Sequence, residues 1–142
     1  MAGQTPLVID SSGVNHSVPD HFQDVVVNIT GVGAALADAD DFVIYYAERD
    51  TVVDAVFMIS SVGDPNDTFG LKRITSGQDP DSAGTAFTNL QVAAAAYTPY
   101  TLTITETENY IPAGSMVALN TEIDTASVGN LTIQMRLRTR VN

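Results

Sequence analysis

The sequence predicts an all-β fold, an antiparallel β-sandwich or barrel with an extended N-terminal arm, and three observations predict it. Residues 131–142 alternate strictly, with Leu131, Ile133, Met135 and Leu137 in one set and Gln134, Arg136, Arg138 and Arg140 in the other. Successive side chains of a strand point to opposite faces, so the apolar row enters a core and the arginines stay outside. Seven to nine short apolar segments are separated by turn signals at roughly regular spacing, which is the pattern of a sandwich or barrel. No alternation of strands with helices, the rhythm of a parallel sheet, is visible.

The elements follow in order. Residues 1–23 form the arm, rich in Gly, Ser, Pro, Asn and His, with one apolar run at Leu7, Val8 and Ile9. Such a segment cannot bury itself alone, so it lies along its own domain or reaches a neighbour. The sandwich domain spans residues 24–142. Its first strand starts at Asp24, where Val25, Val27 and Ile29 alternate with Val26 and Asn28 before Gly31 and Gly33 close the run. Residues 42–46 are β-branched and aromatic, and residues 51–62 place Val53, Ala55, Phe57 and Ile59 on one face, with Glu48, Arg49 and Asp50 as the turn between.

Polar loops at residues 63–67 and 77–82 flank a short strand at residues 71–75, because proline presets φ and Asn or Asp bonds its own backbone. Residues 86–97 read two ways. Phe87, Leu90, Ala94 and Tyr97 fit helical spacing and Ala93, Ala94, Ala95 and Ala96 favour helix, whereas Thr85, Thr88 and Val92 favour strand. Residues 98–105 alternate again, with Tyr100, Leu102 and Ile104 facing one way. Ile111-Pro112-Ala113-Gly114 is a turn, residues 116–123 are a strand, and residues 127–130 are the turn before the last strand.

A length of 142 residues gives one core, burying about two thirds of the unfolded surface. The charged fraction is 16% and the hydrophobic fraction 44%, which predicts a folded chain despite a net charge of −11. No stretch reaches the roughly 18 apolar residues of a membrane span, and the first ten residues lack a basic signal start, so a soluble protein is expected. With no cysteine, disulfides, thiolate metal sites and cysteine nucleophiles are excluded. Nucleic acid is not an expected partner, because residues 1–48 hold no Lys or Arg to release counterions from phosphates. Three of the six basic residues, Arg136, Arg138 and Arg140, share one stripe. That stripe suits an acidic partner, an acidic patch of a sister subunit, or the chain's own acids.

Catalytic and cofactor motifs do not survive inspection. Asp79-Pro80-Asp81-Ser82-Ala83-Gly84 opens like a calcium loop, but Ala83 and Leu90 occupy positions that need ligands, which leaves a polar turn. Asp38, Asp40 and Asp41 suit a solvated edge. His16 and His21, the only histidines, sit in the arm without the rigid support that catalysis requires. Gly31-Val32-Gly33 lacks the third glycine of a dinucleotide loop. Glu106 and Glu108 share a strand face that glycosidase chemistry could use, yet the chain has no tryptophan to stack a sugar. Tyr45, Tyr46, Tyr97, Tyr100 and Tyr110 suit the core edge. No cofactor, metal or enzymatic activity is expected.

The second half, about residues 42–140, resembles the small jelly-roll proteins that decorate or cement the heads of tailed bacteriophages, including related head-spike base subunits. The resemblance rests on Val53-Asp54-Ala55-Val56-Phe57-Met58-Ile59, Leu71-Lys72-Arg73-Ile74-Thr75-Ser76-Gly77, Tyr97-Thr98-Pro99-Tyr100-Thr101-Leu102-Thr103, Ile111-Pro112-Ala113-Gly114-Ser115-Met116-Val117-Ala118-Leu119, and the strand at 131–137. It implies an antiparallel jelly-roll β-sandwich of eight strands, strand rather than helix over residues 86–93, and no enzymatic activity. It also implies a virion protein on the capsid exterior, present in the host cytoplasm during assembly, with the major capsid protein and itself as partners. A homotrimer is the form such proteins suggest, a dimer the alternative. The expected contact residues are Leu7, Val8 and Ile9 of the arm and Arg136, Arg138 and Arg140 of the stripe. The competing expectation is a carbohydrate-binding adhesion module with the tyrosines as sugar platform.

Overall fold

The computed structural model describes residues 7–9, 15–17, 21–29, 42–122 and 130–139, with side chains described for 22–29, 42–121 and 130–139. In the arm, β1 (Leu7–Ile9) and β2 (Asn15–Ser17) pair antiparallel, with Val8 opposite His16. The next strand, β3 (His21–Ile29), begins three residues before the Asp24 start given by the hydrophobic pattern. It is followed by β4 (Val43–Tyr46), β5 (Thr51–Ser60), β6 (Thr68–Ile74), β7 (Thr85–Ala86) and β8 (Gln91–Val92). Then come β9 (Tyr100–Thr101), β10 (Tyr110–Ile111), β11 (Met116–Glu122) and β12 (Leu131–Thr139).

Two five-stranded antiparallel sheets result. One runs β3, β12, β5, with β9 and β10 side by side on the far edge of β5; the other runs β4, β11, β6, with β7 and β8 on the far edge of β6. Counting each interrupted edge as a single strand gives eight, and their pairings are nested: first with eighth, second with seventh, third with sixth, fourth with fifth. That is one long hairpin rolled over itself, the jelly-roll order. The edge where the interrupted strands meet is stitched by a Thr88–Ile104 bridge, with the Asn89 N–H 2.9 Å from the Thr103 carbonyl and the Thr105 N–H 2.8 Å from the Phe87 carbonyl.

The core lies between the sheets. Val53, Val56, Met58, Leu131, Ile133, Met135 and Leu137 of one sheet face Phe69, Leu71, Val117 and Leu119 of the other, all of them buried. The apolar set of the last strand is therefore the predicted one, and β12 is central, bonded to β3 on one side and β5 on the other.

The face predicted for β5 needs correction. Arg136 lies opposite Ala55 and Leu137 opposite Val53, so Asp54 is an extra residue, a β-bulge. The bulge changes parity: Val53 is buried, but beyond it Val56, Met58 and Ser60 turn inward while Ala55, Phe57 and Ile59 are only partly buried on the outer face. Nor is there a helix over residues 86–97. Phe87 is fully buried and its N–H bonds the Leu71 carbonyl, whereas Leu90, Ala94 and Tyr97, the rest of the helical set, are exposed. Pairing with β6 overrides the alanine propensity, and the strand character implied for residues 86–93 is found at Ala86, at the Thr88 bridge and in β8. Downstream, Leu102 is buried and Tyr100 and Ile104 pack partly buried against the core, as their alternation predicts. The turn after Ile111 is closed by the Ser115 N–H on the Pro112 carbonyl, with Gly114 at φ 86° supplying the left-handed step.

Candidate functional site

The outer face of β12 carries the basic stripe, and the two neighbouring strands determine what it meets. Asp24 stands directly opposite Arg136 in the ladder, and the Arg136 Nε lies 3.4 Å from its Oδ1. Both side chains are about half exposed, so the pair contributes ~0–1 kcal/mol. Arg138 reaches the other way, its Nη2 donating to Oδ1 of Asp54 at 3.2 Å, with both side chains mostly covered. Asp54 is the extra residue of the bulge, pointing outward between the buried Val53 and the partly buried Ala55. Two of the three predicted arginines thus face acids of their own chain. Arg140 lies outside the described residues, as do Asp38, Asp40 and Asp41. Leu7, Val8 and Ile9 form β1, of which the backbone alone is described.

Beside the Arg138–Asp54 pair the sixth strand of the roll leaves β5. The Leu102 N–H bonds the Val56 carbonyl, the Asn109 carbonyl accepts from the Val53 N–H, and the Asn109 Nδ2 returns a bond to the Val53 carbonyl at 3.0 Å. Between these anchors the chain bows out and opens a groove of about 540 Å³, with Val52, Ala55, Leu102 and Ile104 as apolar walls and Asp54, Glu106, Asn109 and Arg138 as polar ones. None of the five tyrosines lines it. The groove, which Thr101 also lines, has room for a polar group.

Glu106 and Glu108 do not share a strand face. They belong to a turn closed by the Glu108 N–H on the Thr105 carbonyl at 2.9 Å, because the chain must span the gap between β9 and β10. Glu108 instead holds Arg73, whose Nη2 is 3.2 Å from its Oε2 and whose Nη1 donates to the Tyr110 carbonyl at 2.7 Å. Arg73 sits at the end of β6, so this clamp ties one sheet to the other across the mouth of the sandwich.

The residues 79–84 make the polar turn: the Asp81 N–H bonds the Asp79 Oδ1 at 3.0 Å and the Ala83 N–H its carbonyl at 2.9 Å. Among the described residues no three His, Cys, Asp or Glu side chains gather as a metal cage. No helix among them is long and apolar enough to cross a membrane. Asp24 and Asp54, the partners of the stripe, were not singled out by sequence reasoning. The parity of Asp24 with Val26 and Asn28 carried that signal for one of them, and the alternation of Asp54 with Val53 carried it for the other.

These features define a small antiparallel jelly-roll protein whose outer sheet face bears paired arginines beside an open groove. No family model matches the chain, and no curated protein matches it. Among solved structures it is similar to a chain of the cyanophage Pam1 capsid asymmetric unit, with 17% identity and a TM-score of 0.46 over 87% of this chain and 89% of that one.

Proposed function

We propose that this protein is a structural component of a bacteriophage virion, decorating the capsid exterior and cementing it by bridging adjacent major capsid subunits. The observation that supports the reading most is the placement of the five segments that resemble phage decoration proteins. They fall on β5, on β6, across β9, on the turn into β11 and on β12, which are successive parts of one jelly roll. The mechanism is multivalent stapling: each contact is modest, and a symmetric oligomer bridging neighbouring capsomers gains through effective concentration. No chemistry, cofactor, nucleic acid or membrane enters this reading. The arm supplies a strand-pairing segment at Leu7, Val8 and Ile9, and the half-exposed Arg136, with Arg138 and Arg140, adds rim charge that tunes specificity and salt response.

The test is stoichiometric binding to emptied capsid shells. Full-length protein is expected to bind, and protein lacking residues 1–20 to stay folded and fail to bind. Equal binding by the truncated protein would remove the arm from the mechanism. Binding to a glycan array without binding to shells would favour the adhesion module. Changing Arg136, Arg138 and Arg140 to glutamine is expected to flatten the salt dependence of shell binding.

A further inference from the structure

The chain carries six basic and 17 acidic residues, and none of them lies between positions 82 and 105, its longest uncharged stretch. This stretch forms β7, β8, β9 and the loops that join them, which is one edge of the sandwich apart from β10 and the turn carrying Glu106 and Glu108. Leu90 and Val92 are each 36% exposed there, Tyr97 is 77% exposed, and Ala94, Ala95 and Ala96 are exposed beside it. The charged neighbours of this stretch in the fold include Asp64 and Asp67, bonded to the Ala93 backbone, while other exposed apolar groups have charges close by in the sequence. Phe22 and Val26 flank the Asp24–Arg136 pair, and Phe42, Val43 and Tyr46 lie between Asp41 and Glu48 in the sequence.

The Tyr97 loop is built to hold its shape. Tyr97 has φ 55°, a left-handed conformation that a bulky side chain adopts at a cost, and its N–H is anchored on the Ser60 carbonyl at 2.7 Å. The Ala95 N–H bonds the Tyr100 hydroxyl at 2.9 Å. The Asp64 N–H bonds the Ala93 carbonyl at 3.0 Å, and the loop backbone passes so close to Gly63 that a Cβ there would lie 2.6 Å from the Ala96 nitrogen. A rigid aromatic presented among alanine methyls loses little freedom on being covered.

We propose that this uncharged stretch of the edge, which exposes Leu90, Val92 and Tyr97, is the surface through which the protein associates with a second copy of itself. Two copies that each carry a net charge of −11 repel one another over most of their surfaces. A stretch with no charge of its own is where they approach at least cost, and depletion of charge around an exposed aromatic is a feature of an interface core. The inference names the self-contact that the cementing reading requires, but it is tested on the isolated protein, so its failure and that of shell binding are separate results.

The experiment is sedimentation equilibrium of the full chain at low and high salt. Wild-type protein is expected to self-associate, and more strongly as salt rises, because screening removes the repulsion of like-charged subunits. Leu90→Glu and Val92→Glu are each expected to weaken association about tenfold or more. Tyr97→Gly is expected to weaken it likewise while leaving the melting temperature unchanged or higher, since glycine accepts the left-handed backbone. Val26→Glu, on β3 at the opposite edge of the sheet that carries β9, is the control expected to leave association unchanged. A monomer at every salt concentration, association that weakens with salt, or variants that associate like wild type would each overturn the proposal.

Discussion

Arg138 on the last strand closes onto Asp54, the one residue of β5 that has no partner position in the β12 ladder. The ion pair therefore reports on the bulge, and the bulge determines which side chains of β5 reach the core. Removing Asp54 would join Val53 directly to Ala55 and leave Val56 and Met58 facing inward. Deleting Phe57 would instead turn Met58 outward and Ile59 inward. We expect the Asp54 deletion to fold, with lower stability, and the Phe57 deletion to lose cooperative unfolding. Circular dichroism melts of the two variants check this.

Ile133 is 2% exposed and lies between Val27 and Met58 in the ladder. Ile133→Ala is expected to destabilise the fold by about 2–5 kcal/mol. Its neighbour Gln134 points to the partly covered outer face, and Gln134→Ala should stay within about 0.5 kcal/mol. Denaturant unfolding of both variants distinguishes the two faces, and similar losses would contradict the assigned parity.

Arg73 bonds the Tyr110 carbonyl and Glu108 at once, linking β6 to the strand across the sandwich. Arg73→Met is expected to cost about 1.5–3 kcal/mol, the range for hydrogen bonds involving a charged group. Glu108→Gln should cost less, because the carbonyl contact survives. A double-mutant cycle should give a coupling energy of at least about 0.5 kcal/mol for the pair.

Gly63 needs its missing side chain. A Cβ would lie 2.6–2.8 Å from backbone atoms of Ala94, Ala95 and Ala96, and backbone cannot swing aside as a flexible side chain can. Gly63→Ala is expected to lower the melting temperature and raise the protease sensitivity of the loop carrying Tyr97. Gly77→Ala, where a Cβ meets nothing within 4 Å, should be affected only by its backbone angle of φ 85°.

Strands with unbroken alternation were legible in the sequence. Leu131, Ile133, Met135 and Leu137 announced both the last strand and its buried face, and residues 116–123 announced a strand. What local pattern could not carry was anything set by a partner strand. The inward face of β5 depends on a bulge seen only against β12, and residues 86–97 are divided by their pairing with β6 and by the Gly63 approach, against alanine's helical preference. The stripe was visible as three arginines, but its acidic partners come from 112 and 84 residues away in sequence. The uncharged stretch was written plainly in the sequence from 82 to 105, and it gained meaning once most of those residues were seen to share one side of the sandwich.

The nested pairing has a consequence for synthesis. β3 and β5 have no common neighbour until β12 enters between them, although both leave the ribosome long before residue 131. The nascent chain therefore carries two unfinished sheet edges, lined by Val25, Val27, Val56 and Met58, that only its last strand can join. Folding waits on that final insertion, and the contacts it makes span most of the chain, the kind that form slowly. A pause in translation before residue 131 would leave the protein at its most adhesive, and a chaperone that shields strand edges would act on it at that point.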